Sequence, residues 1–121
     1  MTKGIFVTAT GTDVGKTYVS ALLVKKMREI GYNCGYYKPA LSGAELIGGK
    51  LIPGDCRYVV KTAGLEVPPE KCVSYMFKPA VSPHLAAQLE NNPIKVDKIA
   101  SDFASIKNQY EYIVTEGAGG I

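Results

Sequence analysis

Apolar positions along this chain fall into two rhythms. Ile5, Phe6 and Val7 form a short unbroken run that reads as a buried strand over residues 4–9, closed by a glycine-containing loop. From Thr17 the rhythm changes: Val19, Leu22, Leu23, Met27 and Ile30 recur at helical spacing, Lys25, Lys26, Arg28 and Glu29 take the wet side, and Gly31 supplies the stop. Residues 33–37, Asn-Cys-Gly-Tyr-Tyr, suit a second strand, parallel to the first through a right-handed crossover, with Lys38-Pro39 at its carboxyl end. Gly48-Gly49, between two short apolar segments, marks a small hairpin or an irregular flap. A short helix is expected over 55–62, a break at Val67-Pro68-Pro69, and an extended piece over 73–77. Ser82 as cap and Pro83 in the first helical position open another helix through Leu85, Ala86 and Leu89, which Asn91-Asn92-Pro93 closes. Val96, Ile99, Ala100, Phe103 and Ile106 give one more helix its apolar face, and residues 112–115 read as a strand with Glu116 at its end.

Strand, loop, helix, strand, then helices and another strand is the alternation of an α/β fold with a mostly parallel sheet flanked by helices, a Rossmann-like three-layer α/β/α arrangement. Such sheets take ligands beyond their carboxyl ends. Three segments bring functional groups to that edge: residues 9–17, 38–43 and 116–120. The last strand runs into a glycine loop with no crossover helix behind it, so residues 1–121 are expected to be the amino-terminal part of a single domain that continues further.

Composition narrows the partners. A 46% hydrophobic content supports a real core, and the net charge of +3 is scattered, with no basic block to track a nucleic-acid backbone or an anionic membrane. Neither nucleic acid nor membrane is expected as a partner. Cys34, Cys56 and Cys72 form no Cys-x-x-Cys pair and read as buried free thiols rather than a zinc site or a disulfide framework. The apolar run behind Met1-Thr2-Lys3 is too short for a secretory core, and nothing reaches transmembrane length, which gives a soluble, cytoplasmic reading.

The chemistry begins at Ala-Thr-Gly-Thr-Asp-Val-Gly-Lys-Thr, residues 9–17. Gly15-Lys16-Thr17 match the second half of the phosphate-loop pattern, while Thr10 stands where the strict pattern wants glycine. Backbone amides in such a turn, with the helix amino terminus behind them, make an anion-sized nest; Lys16 adds a full charge and Thr17 a hydroxyl for magnesium. One or two carboxylates should complete the metal site, and Asp55 and Glu116 are the candidates. Asp55 follows Pro53-Gly54 and reads equally as a helix cap. Lys38 reads either as a surface lysine or as an ammonium aimed at developing negative charge. His84, the only histidine, reads as a packed or capping residue, and Ser42 and Ser82 as groups for substrate oxygens, Ser82 already having work as a cap.

Taken together, Gly-Thr-Asp-Val-Gly-Lys-Thr at 11–17, Tyr-Lys-Pro-x-x-Ser-Gly at 37–43, Asp55, Ser-Pro-His-Leu-Ala-Ala at 82–87 and Glu-Gly-Ala-Gly-Gly at 116–120 resemble the dethiobiotin synthetase family of P-loop NTPase-like enzymes, in order and spacing across essentially the whole chain. The resemblance implies ATP as co-substrate with Mg2+, and 7,8-diaminononanoate and CO2 as substrates. One amine captures CO2 as a carbamate, ATP phosphorylates it, and the second amine closes the ureido ring. It also implies a homodimer. By matching position, Thr12, Lys16 and Lys38 face the carbamate and γ-phosphate as the catalytic set, with Ser42 on the substrate. Thr17, Asp55 and Glu116 surround magnesium. The nucleotide is assigned to Thr12, Asp13, Val14, Gly15, Lys16, Thr17 and Tyr18, with Asp55, Glu116 and Gly119. Two other nucleotide-binding classes stay open: partition-type ATPases, whose loop carries a lysine where this chain has Gly11, and cobyrinate amide synthases, which carry a glutamine-hydrolysing domain further along.

Overall fold

The computed structural model describes residues 2–8 and 15–117. Its main sheet has four parallel strands in the order β1 (Lys3–Val7), β6 (Tyr112–Glu116), β2 (Cys34–Ser42), β5 (Val73–Phe77). Between them the chain forms α1 (Lys16–Ile30), the hairpin β3 (Glu45–Ile47) and β4 (Lys50–Ile52), α2 (Gly54–Ala63), a 3₁₀ turn at Pro69–Cys72, α3 (Pro83–Leu89) and α4 (Val96–Lys107). The parallel α/β class read from the alternation is therefore the class observed. Among the described residues no helix is long and apolar enough to cross a membrane.

β6 and β2 are central and carry the burial: Ile113 and Val114 are fully enclosed, as are Cys34, Tyr36 and Tyr37. On one sheet face Tyr36 and Val114 pack with Ala21 and Val24 of α1 and Cys56 and Val59 of α2. On the other, Ala40, Tyr75 and Phe77 meet Ala86 and Ala87 of α3, and Tyr37 lies against Phe103 of α4. All three cysteines are free and buried in the first cluster, as the sequence suggested.

Three sequence expectations change. β1 is an edge strand whose Phe6 is 64% exposed, because its only sheet neighbour among the described residues is β6. In α1 the buried side chains are Lys16, Ser20, Ala21 and Val24, while Val19, Leu22 and Ile30 stand largely in solvent. Leu23 and Met27, also expected on the apolar face, do pack against the core that holds Ala21 and Val24. Val96, expected on the apolar face of α4, opens the first turn and is exposed.

A further change concerns β2, which does not stop at Lys38-Pro39 but runs on to Ser42. Residues 34–37 pair with β6, and from Lys38 onward the partner is β5. Proline lacks an amide hydrogen and is tolerated where ladder bonding changes, and Pro39 stands next to this exchange of neighbours. Tyr36 and Leu41 pack in one cluster while Ala40 packs in the other, so strict alternation is lost across the proline. The looser reading of residues 45–52 resolves as a hairpin, with Gly48 and Gly49 both at positive φ (59° and 79°), the conformation a two-residue turn between twisted strands requires.

Candidate functional site

Register alone builds the heart of the site. Tyr37 lies opposite Thr115, so the next step along both strands sets Lys38 beside Glu116 at the carboxyl end of central β6, with both side chains on the α1 and α2 face. Lys38 Nζ donates to Glu116 Oε2 at 2.8 Å and sits 3.2 Å from Asp55 Oδ2. Lys38 and Glu116 are 5% and 1% exposed, which removes the surface-lysine reading. Asp55 reaches the ammonium from the first turn of α2, whose cap position is Pro53 without a side-chain bond, so Asp55 is not the cap. Its side chain remains half open to solvent.

The helix that follows the loop supplies the next group. Thr17, in the first turn of α1, donates its hydroxyl to the same Glu116 Oε2 at 2.9 Å. The cap position just ahead of it is Gly15, which takes the left-handed conformation (φ 89°) and has no side chain to cap the helix. Lys16, the first residue of α1, is buried. A fully enclosed residue not singled out by sequence completes the set: Tyr36 donates its phenol to Glu116 Oε1 at 2.9 Å. The signal was its place two residues before Lys38, hence on the same strand face.

Burial of Lys38 disfavours its charge, but the carboxylates of Glu116 and Asp55 and their hydrogen bonds outweigh that and hold the ammonium above the ordinary lysine range. Burial, with the Cys56 thiol and the Glu116 carboxylate nearby, pushes the Tyr36 phenol far up, so it stays a donor.

Oxygen is the donor throughout. The Thr17 hydroxyl and the Glu116 and Asp55 carboxylates are oxygen groups of the type that a hard cation such as Mg2+ would take. Among the described residues no group of three or more His, Cys, Asp or Glu is placed to hold a metal ion.

Other sequence candidates lie elsewhere. Ser42 ends β2, four residues and roughly 13 Å of strand beyond Lys38. Tyr18 is exposed on α1. His84 is exposed in the first turn of α3 with Gln88 beside its ring, and Ser82 caps that helix through the Leu85 amide. Thr12, Asp13, Val14 and Gly119 lie outside the described residues.

A family model described as "AAA domain" matches residues 3–121. Among curated proteins the chain is 60% identical over all 121 residues to the ATP-dependent dethiobiotin synthetase BioD of Clostridium botulinum strain Loch Maree / Type A3, covering 53% of that protein. It is 61% identical to the protein of the same description from strain 657 / Type Ba4 and 57% to that from strain Eklund 17B / Type B, again covering 53% of each. The chain thus spans about half the length of these relatives.

Proposed function

The chain belongs to the AAA domain family, and from that premise we propose that it serves an ATP-dependent dethiobiotin synthetase, with residues 1–121 as the amino-terminal part of its domain. The observation that carries the proposal is the Lys38 ammonium enclosed between Glu116 and Asp55, with the Thr17 hydroxyl on the same Glu116 oxygen. A buried cation, a helix-start hydroxyl and two carboxylates at the carboxyl edge of a parallel sheet suit a phosphoryl transfer, where positioning and electrostatics carry most of the catalysis.

In this reading one amine of 7,8-diaminononanoate takes up CO2 as a carbamate, ATP phosphorylates the carbamate, and the second amine attacks it, closing the ureido ring and releasing phosphate. ADP and dethiobiotin are the other products. Lys38 and Lys16, with Thr12, hold the anionic oxygens of the carbamate and the γ-phosphate. Ser42, further along the same strand, holds the substrate. The nucleotide lies along residues 12–18 and against Gly119. Thr17, Asp55 and Glu116 hold Mg2+, which when bound neutralises charge on the phosphates. The enzyme is homodimeric and cytoplasmic in this proposal, and exposed apolar side chains along β1 and α1 (Phe6, Val19, Leu22 and Ile30) support further protein covering that side.

The test uses full-length protein with ATP, Mg2+, bicarbonate and 7,8-diaminononanoate. Dethiobiotin and ADP should appear in equal amounts, and Lys38→Gln should lower kcat at least 100-fold, about the loss when one transition-state donor is removed. Folded protein that binds ATP yet releases no ADP in response to the diamino acid would refute the assignment.

A further inference from the structure

The two oxygens of Glu116 are engaged differently. Oε2 is shared by Thr17 and Lys38, the groups turned toward phosphate and carbamate in the proposed function, whereas Oε1 accepts from the Tyr36 phenol. The Tyr36 ring is 1% exposed and packed among Cys34, Cys56, Val59 and Val114, on a strand hydrogen-bonded to the one that carries Glu116. The terminal torsion of a glutamate side chain is broad and two-fold, so the chain itself does not fix the carboxylate plane. A phenol immobilised in the core does fix it, through an O–H donor to a charged acceptor. We propose that Tyr36 is a positioning residue: its bond to Oε1 locks the Glu116 carboxylate so that Oε2 alone is presented to Thr17, Lys38 and the bound cation. The inference rests on the metal and nucleotide assignment above and adds a residue that touches neither.

Residues that orient a metal ligand typically change metal affinity or activity 10–100-fold on substitution. In full-length protein, Tyr36→Phe keeps the ring and removes only the hydroxyl. ADP binding measured by calorimetry without metal should match the unmodified protein, and the melting temperature should stay within a few degrees. The Mg2+ concentration that half-saturates the enhancement of ADP binding should rise about 10-fold or more. In a Glu116→Gln background the same change should add nothing further. Should Tyr36→Phe fail to fold, Tyr36→His, which retains a ring N–H donor, takes its place and should hold the Mg2+ half-saturation within a few-fold of the unmodified value.

Equal Mg2+ half-saturation for Tyr36→Phe and the unmodified protein overturns the proposal. So does a parallel fall in metal-free ADP binding and melting temperature, which marks a packing role, and so does collapse of both variants. Absence of any Mg2+ effect on ADP binding in the unmodified protein overturns it as well. Because these readouts need no diamino acid, a protein that makes no dethiobiotin removes the functional assignment while the magnesium titration still decides the role of Tyr36.

Discussion

Glu116 and Lys38 form a pair that water barely reaches, and this makes the proton on Lys38 a structural element. Its folded pKa lies above the ordinary lysine value, because Glu116 and Asp55 outweigh the opposing effect of burial. A group with a raised folded pKa contributes its stability below the unfolded value, about 10.4 for lysine, and loses it as pH rises through the folded value. The difference in unfolding free energy between the unmodified protein and Lys38→Met should therefore be flat from about pH 7 to pH 10 and shrink above that. Urea melts at several pH values read it directly, and a difference that already shrinks between pH 7 and 9 contradicts the pairing. At this scale the sequence was most informative where a residue type is rare for its place: a carboxylate ending a buried strand, a lysine beside a proline, a Gly-Lys-Thr triplet. Tyr36 escaped because a tyrosine in an apolar strand looks like packing, and only the register with β6 shows that its hydroxyl meets Glu116.

Elements were legible as to kind and approximate extent, less so as to which side they bury. α1 shows why. Periodicity marks Leu23 and Met27, which do pack against the core, but Ser20, Ala21 and Val24 take the fully enclosed positions while Val19, Leu22 and Ile30 face out. The continuation of β2 past Pro39 was likewise hidden, since it depends on β5 arriving as a new neighbour rather than on anything local. One glycine in that strand has a definite reason. A methyl group at Gly35 would lie 2.5 Å from two ring carbons of Tyr110, in the turn that leads into β6. Gly35→Ala should thus destabilise the fold by about 1–3 kcal/mol through overpacking. Replacing Tyr110 with alanine in the same protein should recover part of the loss in a double-mutant cycle, whereas strictly additive effects would place the cause elsewhere.

Across the whole molecule the parallel order β1-β6-β2-β5 brings Thr17, Lys38, Asp55 and Glu116 together from α1, β2, α2 and β6, elements far apart in the chain. Their convergence is a property of topology that motif spacing anticipates only when the strand order is already known. The enclosed cysteines give that topology a means of being timed. Cys34 and Cys56 are wholly inaccessible and Cys72 nearly so, and burial pushes the thiols of Cys34 and Cys72 up to about 11 and that of Cys56 higher still. Alkylating reagents attack thiolates they can reach, so iodoacetamide at neutral pH should leave the native chain unmarked for as long as α1 and α2 stay closed on the sheet. Once the core opens, all three adducts should accumulate with one shared rate, and mass spectra taken over time become a clock for its breathing; an early single adduct would reveal a corner that opens alone.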